Sequence, residues 1–254
     1  MKSQLLPRVV MYSAVSLDGQ TGGFVPDIGR FYSLIGVWKE DATLVGSETI
    51  LKASAQDFEA DSDAETSAGE ASKGAVADAA ESASARRGKD RRPLLVVPDS
   101  RGRIRNWNAL RNTPYWRDVL VLCSRRTPQR YLRFLRDKRI EHLVAGADHV
   151  DLRAALRQLR QRYGVKVVRV DSGGTLCGAL LRAGLVDEVS LLVHPCLIGD
   201  VPPRSFFRML DGDGGGKPIP LRFQSMRRFS DGLLWLRYRV LREASASRRR
   251  TVKK

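Results

Sequence analysis

Five short stretches of this chain carry side chains able to hold an anion or move a proton, and each follows a run of apolar residues. They are Ser16-Leu17-Asp18-Gly19, Val45-Gly46-Ser47-Glu48-Thr49, Pro98-Asp99-Ser100-Arg101-Gly102-Arg103, Ser124-Arg125-Arg126 and Asp171-Ser172-Gly173-Gly174-Thr175-Leu176. The last is the most informative. Its paired glycines let backbone N–H groups approach a ligand closely, and the helix that follows presents an N-terminus that favours negative charge. The chemistry this suggests is phosphate binding. Hydroxyls and arginines at the other strand ends supply further contacts to phosphate oxygens. Each stretch taken alone also reads as an ordinary turn. Five of them at one sheet edge read as a ligand site, because open α/β sheets bind ligands beyond the carboxyl ends of their strands.

The elements that must position these residues alternate along the chain. Apolar runs predict strands over 9–14, 42–45, 94–97, 119–123, 140–145, 165–170 and 189–193. Helical patterns cover 31–38, 152–163 and 175–182. A further helix is predicted to open at Thr127-Pro128, with threonine as cap and proline in the first helical position, and to run to about Asp137. Asp151 caps the helix over 152–163, and Gly164 stands where a left-handed residue ends one. Segments 221–229 and 233–241 form a hairpin around Ser230-Asp231-Gly232. The expectation is an α/β domain: a central, mainly parallel sheet flanked by helices, with a C-terminal antiparallel hairpin.

At 254 residues and 43% hydrophobic, the chain can build one sizeable core, expected over residues 1–240. Residues 53–92 break the pattern. They are rich in Ala, Ser, Asp, Glu and Lys, with almost no large apolar residue after Phe58, and read as a disordered insertion. Residues 241–254 read as a basic disordered tail. Nine acids against six bases over 53–92, and six bases against one acid over 241–254, leave +14 of the +16 net charge on the remainder. Such a surface suits phosphorylated metabolites, dinucleotides or nucleic acid. Cys123, Cys177 and Cys196 are odd in number and far apart, which fits a reducing, cytoplasmic setting and small buried side chains. His142, His149 and His194 are scattered, with no pair at metal spacing; no metal is expected. No apolar run is long enough to cross a bilayer, and the first eight residues lack the apolar stretch of a secretory signal.

Over residues 8–52 and 93–240 the chain resembles the riboflavin-pathway pyrimidine reductases, which stand alone or form the second domain of a bifunctional deaminase-reductase. The resemblance rests on Ser16-Leu17-Asp18-Gly19, on Asp41-Ala42 with Val45-Gly46 and Thr49, on Asp99-Ser100, and on Asp171 to Leu176. Leu185-Val186-Asp187-Glu188, Pro195 and Leu197-Ile198-Gly199 complete it. It implies a dihydrofolate-reductase-like fold, a homodimer and NADPH-dependent reduction of a ribosylaminopyrimidine 5′-phosphate to its ribityl form, with hydride passing to ribose C1. By position, Gly46, Thr49, Ser172, Gly173, Gly174, Thr175 and Leu176 would hold the cofactor, and Ser124, Arg125 and Arg126 would sit near its 2′-phosphate. Ser16, Asp18, Asp99 and Asp171 would face the substrate, with Asp18 and Asp99 as the catalytic pair; Asp18 would orient ribose hydroxyls or relay the proton that accompanies the hydride.

The chain departs from the family in four places. Asp171-Ser172 replaces the usual Glu-Gly. Tyr12 stands where relatives often carry Lys or Asn. The Asp-x-Pro element after the threonine is missing, and there is neither His-x-Glu nor Pro-Cys-x-x-Cys of a deaminase half. The first three leave open a reductase of the same fold with another substrate, dihydrofolate included. The basic surface leaves open a nucleic-acid-binding protein, although no binding motif accompanies it.

Overall fold

The computed structural model describes residues 5–53, 90–199, 205–206 and 218–241. Nine strands form one sheet: β1 (Arg8–Ser16), β2 (Ala42–Leu44), β3 (Leu94–Pro98), β4 (Asp118–Cys123), β5 (Glu141–Val144), β6 (Val167–Val170), β7 (Glu188–His194), β8 (Leu221–Arg228) and β9 (Leu234–Val240), in the order β5-β4-β3-β2-β6-β1-β7-β9-β8. The first seven are parallel, and β9 and β8 add antiparallel to the β7 edge. The expected mainly parallel sheet with a terminal hairpin is therefore present, and a register shift between Phe223 and Ser225 bends the hairpin's outer strand.

Alternation along the strands sorts their side chains onto two faces. Val9, Met11, Leu94, Val96, Leu120 and Leu122 belong to one apolar cluster. The helices α5 (Leu152–Tyr163) and α6 (Gly174–Arg182) cover it with Leu156, Leu159, Cys177 and Leu180. On the opposite face lie α1 (Ile28–Ile35), α2 (residues 47–53), α3 (Trp107–Arg111) and α4 (Gln129–Asp137). There the core is split in two. Leu95, Val97, Trp107 and Tyr131 pack together under α3 and α4, and Val10, Tyr12, Phe31 and Trp38 pack under α1. The divider is polar: the cross-strand row Val10, Arg169, Thr43, Leu95 places a buried guanidinium between the two clusters. Arg169 is paired with Glu40 and Asp171, each at 2.9 Å, so the buried charge is compensated.

Local signals set several helix ends. Asp151 accepts a hydrogen bond from the Ala154 N–H (2.9 Å), and Gly164 closes α5 at φ +67°, both as the sequence predicts. Two expectations are corrected. The first helix begins at Ile28 and not at residue 31, because Asp27 caps it through the Arg30 N–H (2.8 Å); it ends at Ile35, and Trp38 lies beyond it, its indole donating to Glu188. The Thr127-Pro128 pair is shifted by one: Pro128 itself is the cap of α4, and the Thr127 hydroxyl accepts from the Ser124 N–H (2.9 Å), closing the preceding turn. The insertion expected over 53–92 and the tail expected from 241 fall outside the described residues, apart from Ala53, residues 90–92 and Leu241.

Candidate active site

β2 and β6 are neighbours in the sheet, with Leu44 opposite Val170. The chain leaves β2 into α2 on one face and leaves β6 into α6 on the other. Two adjacent strands whose following helices diverge open a crevice at their carboxyl ends, the position where α/β sheets bind ligands. A cleft of about 460 Å³ lies there.

Its walls come from separate loops. The β2 loop contributes Gly46 and Thr49, with Lys52 one helical turn further along α2. The β6 loop and the start of α6 contribute Ser172 to Leu176. Pro98 and Ser100 follow β3, Val150 and Leu152 lead into α5, and Thr21 and Ser205 form the far rim beside the Gln20–Ser205 bridge. Of the expected cofactor residues, Gly46, Thr49, Ser172, Gly173, Gly174, Thr175 and Leu176 are brought together around one space.

The chemistry of this wall suits an anion and a flat apolar group. Gly173 caps α6 without a side-chain hydrogen bond, so the N–H groups of the first turn have no capping side chain. A Cβ on Gly173 would meet nothing within 4 Å, so the backbone faces open space. Leu176, Ala179, Val150 and Leu152 supply an apolar surface beside it. Phosphate oxygens matched to free N–H groups and a ring matched to aliphatic side chains are what a dinucleotide needs, so these residues fit the nicotinamide cofactor that the family resemblance implies.

The other expected site residues have different surroundings. Ser124 is fully buried, its hydroxyl donating to the Asp148 carbonyl (3.1 Å). Arg126 pairs with Asp148 at 3.0 Å, and neither it nor Arg125 lines the cleft. Both arginines are exposed on the loop after β4, at the same sheet edge.

Asp18 is exposed on the loop after β1 and acts as a clamp. It accepts from the Ser16 hydroxyl (2.5 Å) and from the backbone N–H groups of Ile198 (3.2 Å) and Gly199 (2.9 Å). The Ser16 hydroxyl foremost, and then the Gly199 N–H, hold this carboxyl below the usual aspartate range. A carboxyl so held is ionised at neutral pH, which suits positioning better than proton donation. Ser16 is only 1% exposed, and its hydroxyl also accepts from the Gln20 N–H (3.0 Å), so it braces the loop from within.

Asp99, expected beside the substrate, is 2% exposed, and its Oδ1 has no hydrogen-bond partner among the described residues. Its Oδ2 accepts from the N–H groups of Arg103 (2.8 Å) and Ile104 (2.9 Å) and from the Tyr131 hydroxyl (2.8 Å), which itself accepts from the Trp107 indole. The carboxylate shapes the turn after β3, and its neighbours Pro98 and Ser100 line the cleft. Asp171 stands next to Ser172 but points to the opposite face, onto Arg169. Tyr12 is fully buried, stacked on Phe31 at 4.2 Å, its hydroxyl donating to the Phe31 carbonyl; burial raises its pKa and keeps it neutral. His194 accepts from the Asp27 N–H through Nε2 (3.0 Å), while Nδ1 lies 3.2 Å from the Leu192 carbonyl, so it ties α1 to β7.

Sequence reasoning missed Lys52, Thr21, Val150, Leu152 and Ser205. Lys52 was findable: it is three residues after Thr49, hence on the same face of a helix that starts at residue 47. The others come from segments distant in sequence, and only the fold assembles them. Among the described residues no cluster of His, Cys, Asp and Glu could hold a metal, and no helix is long and apolar enough to cross a membrane.

The model of the RibD C-terminal domain matches residues 35–235. A 2,5-diamino-6-ribosylamino-4(3H)-pyrimidinone 5′-phosphate reductase from Archaeoglobus fulgidus is 33% identical over 145 residues, covering 57% of this chain and 62% of that protein. The protein of the same name from Methanothermobacter thermautotrophicus is 31% identical over 128 residues, covering 48% of this chain and 53% of that protein. The match thus spans about half to three-fifths of these relatives. Among solved structures, a pyrimidine reductase-like protein from Corynebacterium diphtheriae superposes with a TM-score of 0.68 at 21% identity, covering 93% of both chains. A riboflavin biosynthesis reductase from Saccharomyces cerevisiae gives 0.60 at 13% identity, over 95% of this chain and 92% of that one. These likenesses establish the fold, the dihydrofolate-reductase-like arrangement expected from the sequence.

Proposed function

Because the chain belongs to the RibD C-terminal domain family, we propose that it is an NADPH-dependent reductase of riboflavin biosynthesis. Its substrate is 2,5-diamino-6-ribosylamino-4(3H)-pyrimidinone 5′-phosphate, the compound in the names of its archaeal relatives, or the deaminated form. The ribosyl group is reduced to ribityl. One observation carries the reading: the loops holding Gly46 and Thr49 and those holding Ser172 to Leu176 converge on one cleft, at the uncapped start of α6.

NADPH, when bound, supplies the hydride that ribose C1 accepts. The chain's own residues bind and orient. The first-turn N–H groups of α6, with the Thr175 hydroxyl, take phosphate oxygens of the cofactor. Leu176, Val150 and Leu152 cover a ring and exclude water. Lys52 has no ion pair among the described residues, so its ammonium is available to a ligand phosphate. Arg125 and Arg126 lie along the same sheet edge, where a 2′-phosphate would select NADPH over NADH. Asp18 holds the rim loop through Gly199 and keeps its residues in place around the ribose.

The three cysteines are free, which accords with a cytoplasmic protein. Leu221, Phe223 and Met226 are exposed on the edge strand β8, an apolar strip that suits pairing with a second copy. A second reading keeps the reductase fold and changes the substrate, dihydrofolate being the first alternative; Ser172, which lines the cleft where the family usually has glycine, and Tyr12, which replaces the usual Lys or Asn, motivate it.

Titration with NADPH and NADH, followed by nicotinamide fluorescence, tests the cofactor assignment. Preferential NADPH binding, weakened at least tenfold by a Thr175→Glu substitution that places a carboxylate at the start of α6, supports it. Equal or absent binding of the two nucleotides contradicts it. Binding of NADPH with turnover of dihydrofolate and not of the pyrimidine would favour the second reading.

A further inference from the structure

We infer that Ser172 is a positioning residue that sets the width and the hydrogen bonding of the cofactor wall through its contact with Gly46. The inference rests on the nicotinamide reading of the cleft. Both residues line the cleft, from loops 126 positions apart. The Ser172 hydroxyl oxygen accepts the Gly46 N–H at 3.1 Å. That amide would otherwise face the cavity as a donor for a ligand. One of the hydroxyl's two lone pairs is so occupied, and the hydroxyl proton has no acceptor among the described residues. The wall therefore offers a side-chain O–H where a glycine at 172 would offer a backbone N–H, and a ligand acceptor, a carboxamide or phosphate oxygen, meets a donor that stands further into the space.

The pair is also sterically matched. A Cβ on Gly46 would lie 2.6 Å from Ser172 Oγ, while its next neighbours, atoms of Leu176, are at 3.9 Å. Gly46 has no left-handed φ, so the need for glycine there is one of space, and the space is taken by the Ser172 hydroxyl. Ser172 is held from behind as well: its carbonyl accepts from the Cys177 thiol (3.4 Å), and the preceding Asp171 N–H donates to the Leu44 carbonyl (3.0 Å). These contacts fix the Ser172 backbone, so the hydroxyl leaves Gly46 only by rotation about χ1, which breaks its hydrogen bond to the Gly46 N–H.

Four proteins test this: the native chain, Ser172→Gly, Gly46→Ala and the double variant. Each is measured for NADPH dissociation constant and for thermal unfolding. Ser172→Gly is expected to stay folded and to bind NADPH roughly 3- to 10-fold more weakly, because the Gly46 N–H that takes over as donor stands further back from the ligand than the hydroxyl. Gly46→Ala is expected to bind at least tenfold more weakly. The double variant is expected to bind no worse than Ser172→Gly, because the methyl then meets only Leu176 at ordinary contact distance. That non-additivity is the signature of a coupled pair. A purely structural role would move the unfolding temperature and leave the dissociation constant of the folded protein unchanged. The inference is overturned if Ser172→Gly binds NADPH with the native constant, or if Gly46→Ala is equally harmful with and without Ser172. If the native chain binds no nicotinamide nucleotide, the functional reading fails and this inference with it, a result distinct from either of the others.

Discussion

Asp18 and Asp99 are both carboxylates one or two residues past a strand, yet they meet opposite surroundings and should fail differently when replaced. Asp99→Ala strands two backbone N–H groups and the Tyr131 hydroxyl inside the protein, and should cost about 2–4 kcal/mol of stability in denaturant titration. Asp99→Asn keeps one acceptor and should retain most of the native kcat once folded; a variant that is stable but has lost turnover would return Asp99 to the chemistry. Asp18→Asn should raise KM more than it lowers kcat, by loosening the Gly199 loop. Because hydrogen bonds hold the Asp18 carboxyl below the ordinary range, it stays ionised down to pH values below about 4, so a rate profile should show no limb from Asp18 near neutrality. The thiols divide in the same way. Burial, with help from a nearby aspartate, pushes Cys123 and Cys177 up to about 12, so only half-exposed Cys196 should react with a thiol reagent in the native state. The glycines and hydroxyls of 171–176 were legible in the sequence because their chemistry lies in the backbone. The burial of Asp99 and Ser16 was not, since which way a residue turns just beyond a strand depends on where the chain bends.

Element ends tell a similar story. Asp151 and Gly164 were readable because each satisfies backbone groups of its own helix. Asp151→Ala should destabilise α5, and the whole domain, by about 1 kcal/mol. α2 and α3 escaped detection because they are short and their apolar residues, Ile50 and Trp107, do not repeat often enough to set a period. Buried Glu188 at the start of β7 joins three distant elements. It accepts from Trp38 and Arg237, and Arg8 pairs with its other oxygen. Burial alone would raise its pKa, but the Arg237 and Trp38 hydrogen bonds and the two arginine charges prevail and lower it. A carboxyl with a lowered folded value adds stability above its unfolded value and loses it as pH falls through the folded one. Stability should therefore decline below about pH 4.3, the ordinary glutamate value. Glu188→Gln should flatten that decline; an unchanged acid limb would place its origin elsewhere.

At the scale of the whole molecule, strand order decides where the site is. β6 returns between β2 and β1, and that one insertion brings residues 46 and 172 into contact across a crevice with helices diverging on either side. Alternating strands and helices announced the fold class; the order of the strands was not legible along the chain, because pairing is a long-range property. The net charge of +16 should favour capture of a polyanionic cofactor and phosphorylated substrate at low ionic strength, so the NADPH dissociation constant should rise with added salt. The full chain is mixed with NADPH, carrying deuterium at the transferable position, and the ribosylaminopyrimidine phosphate, and the product is weighed. Consumption of the cofactor with one deuterium recovered on ribityl C1 is the result this account predicts. A chain that binds NADPH but leaves the pyrimidine unreduced under all conditions of substrate excess would contradict it.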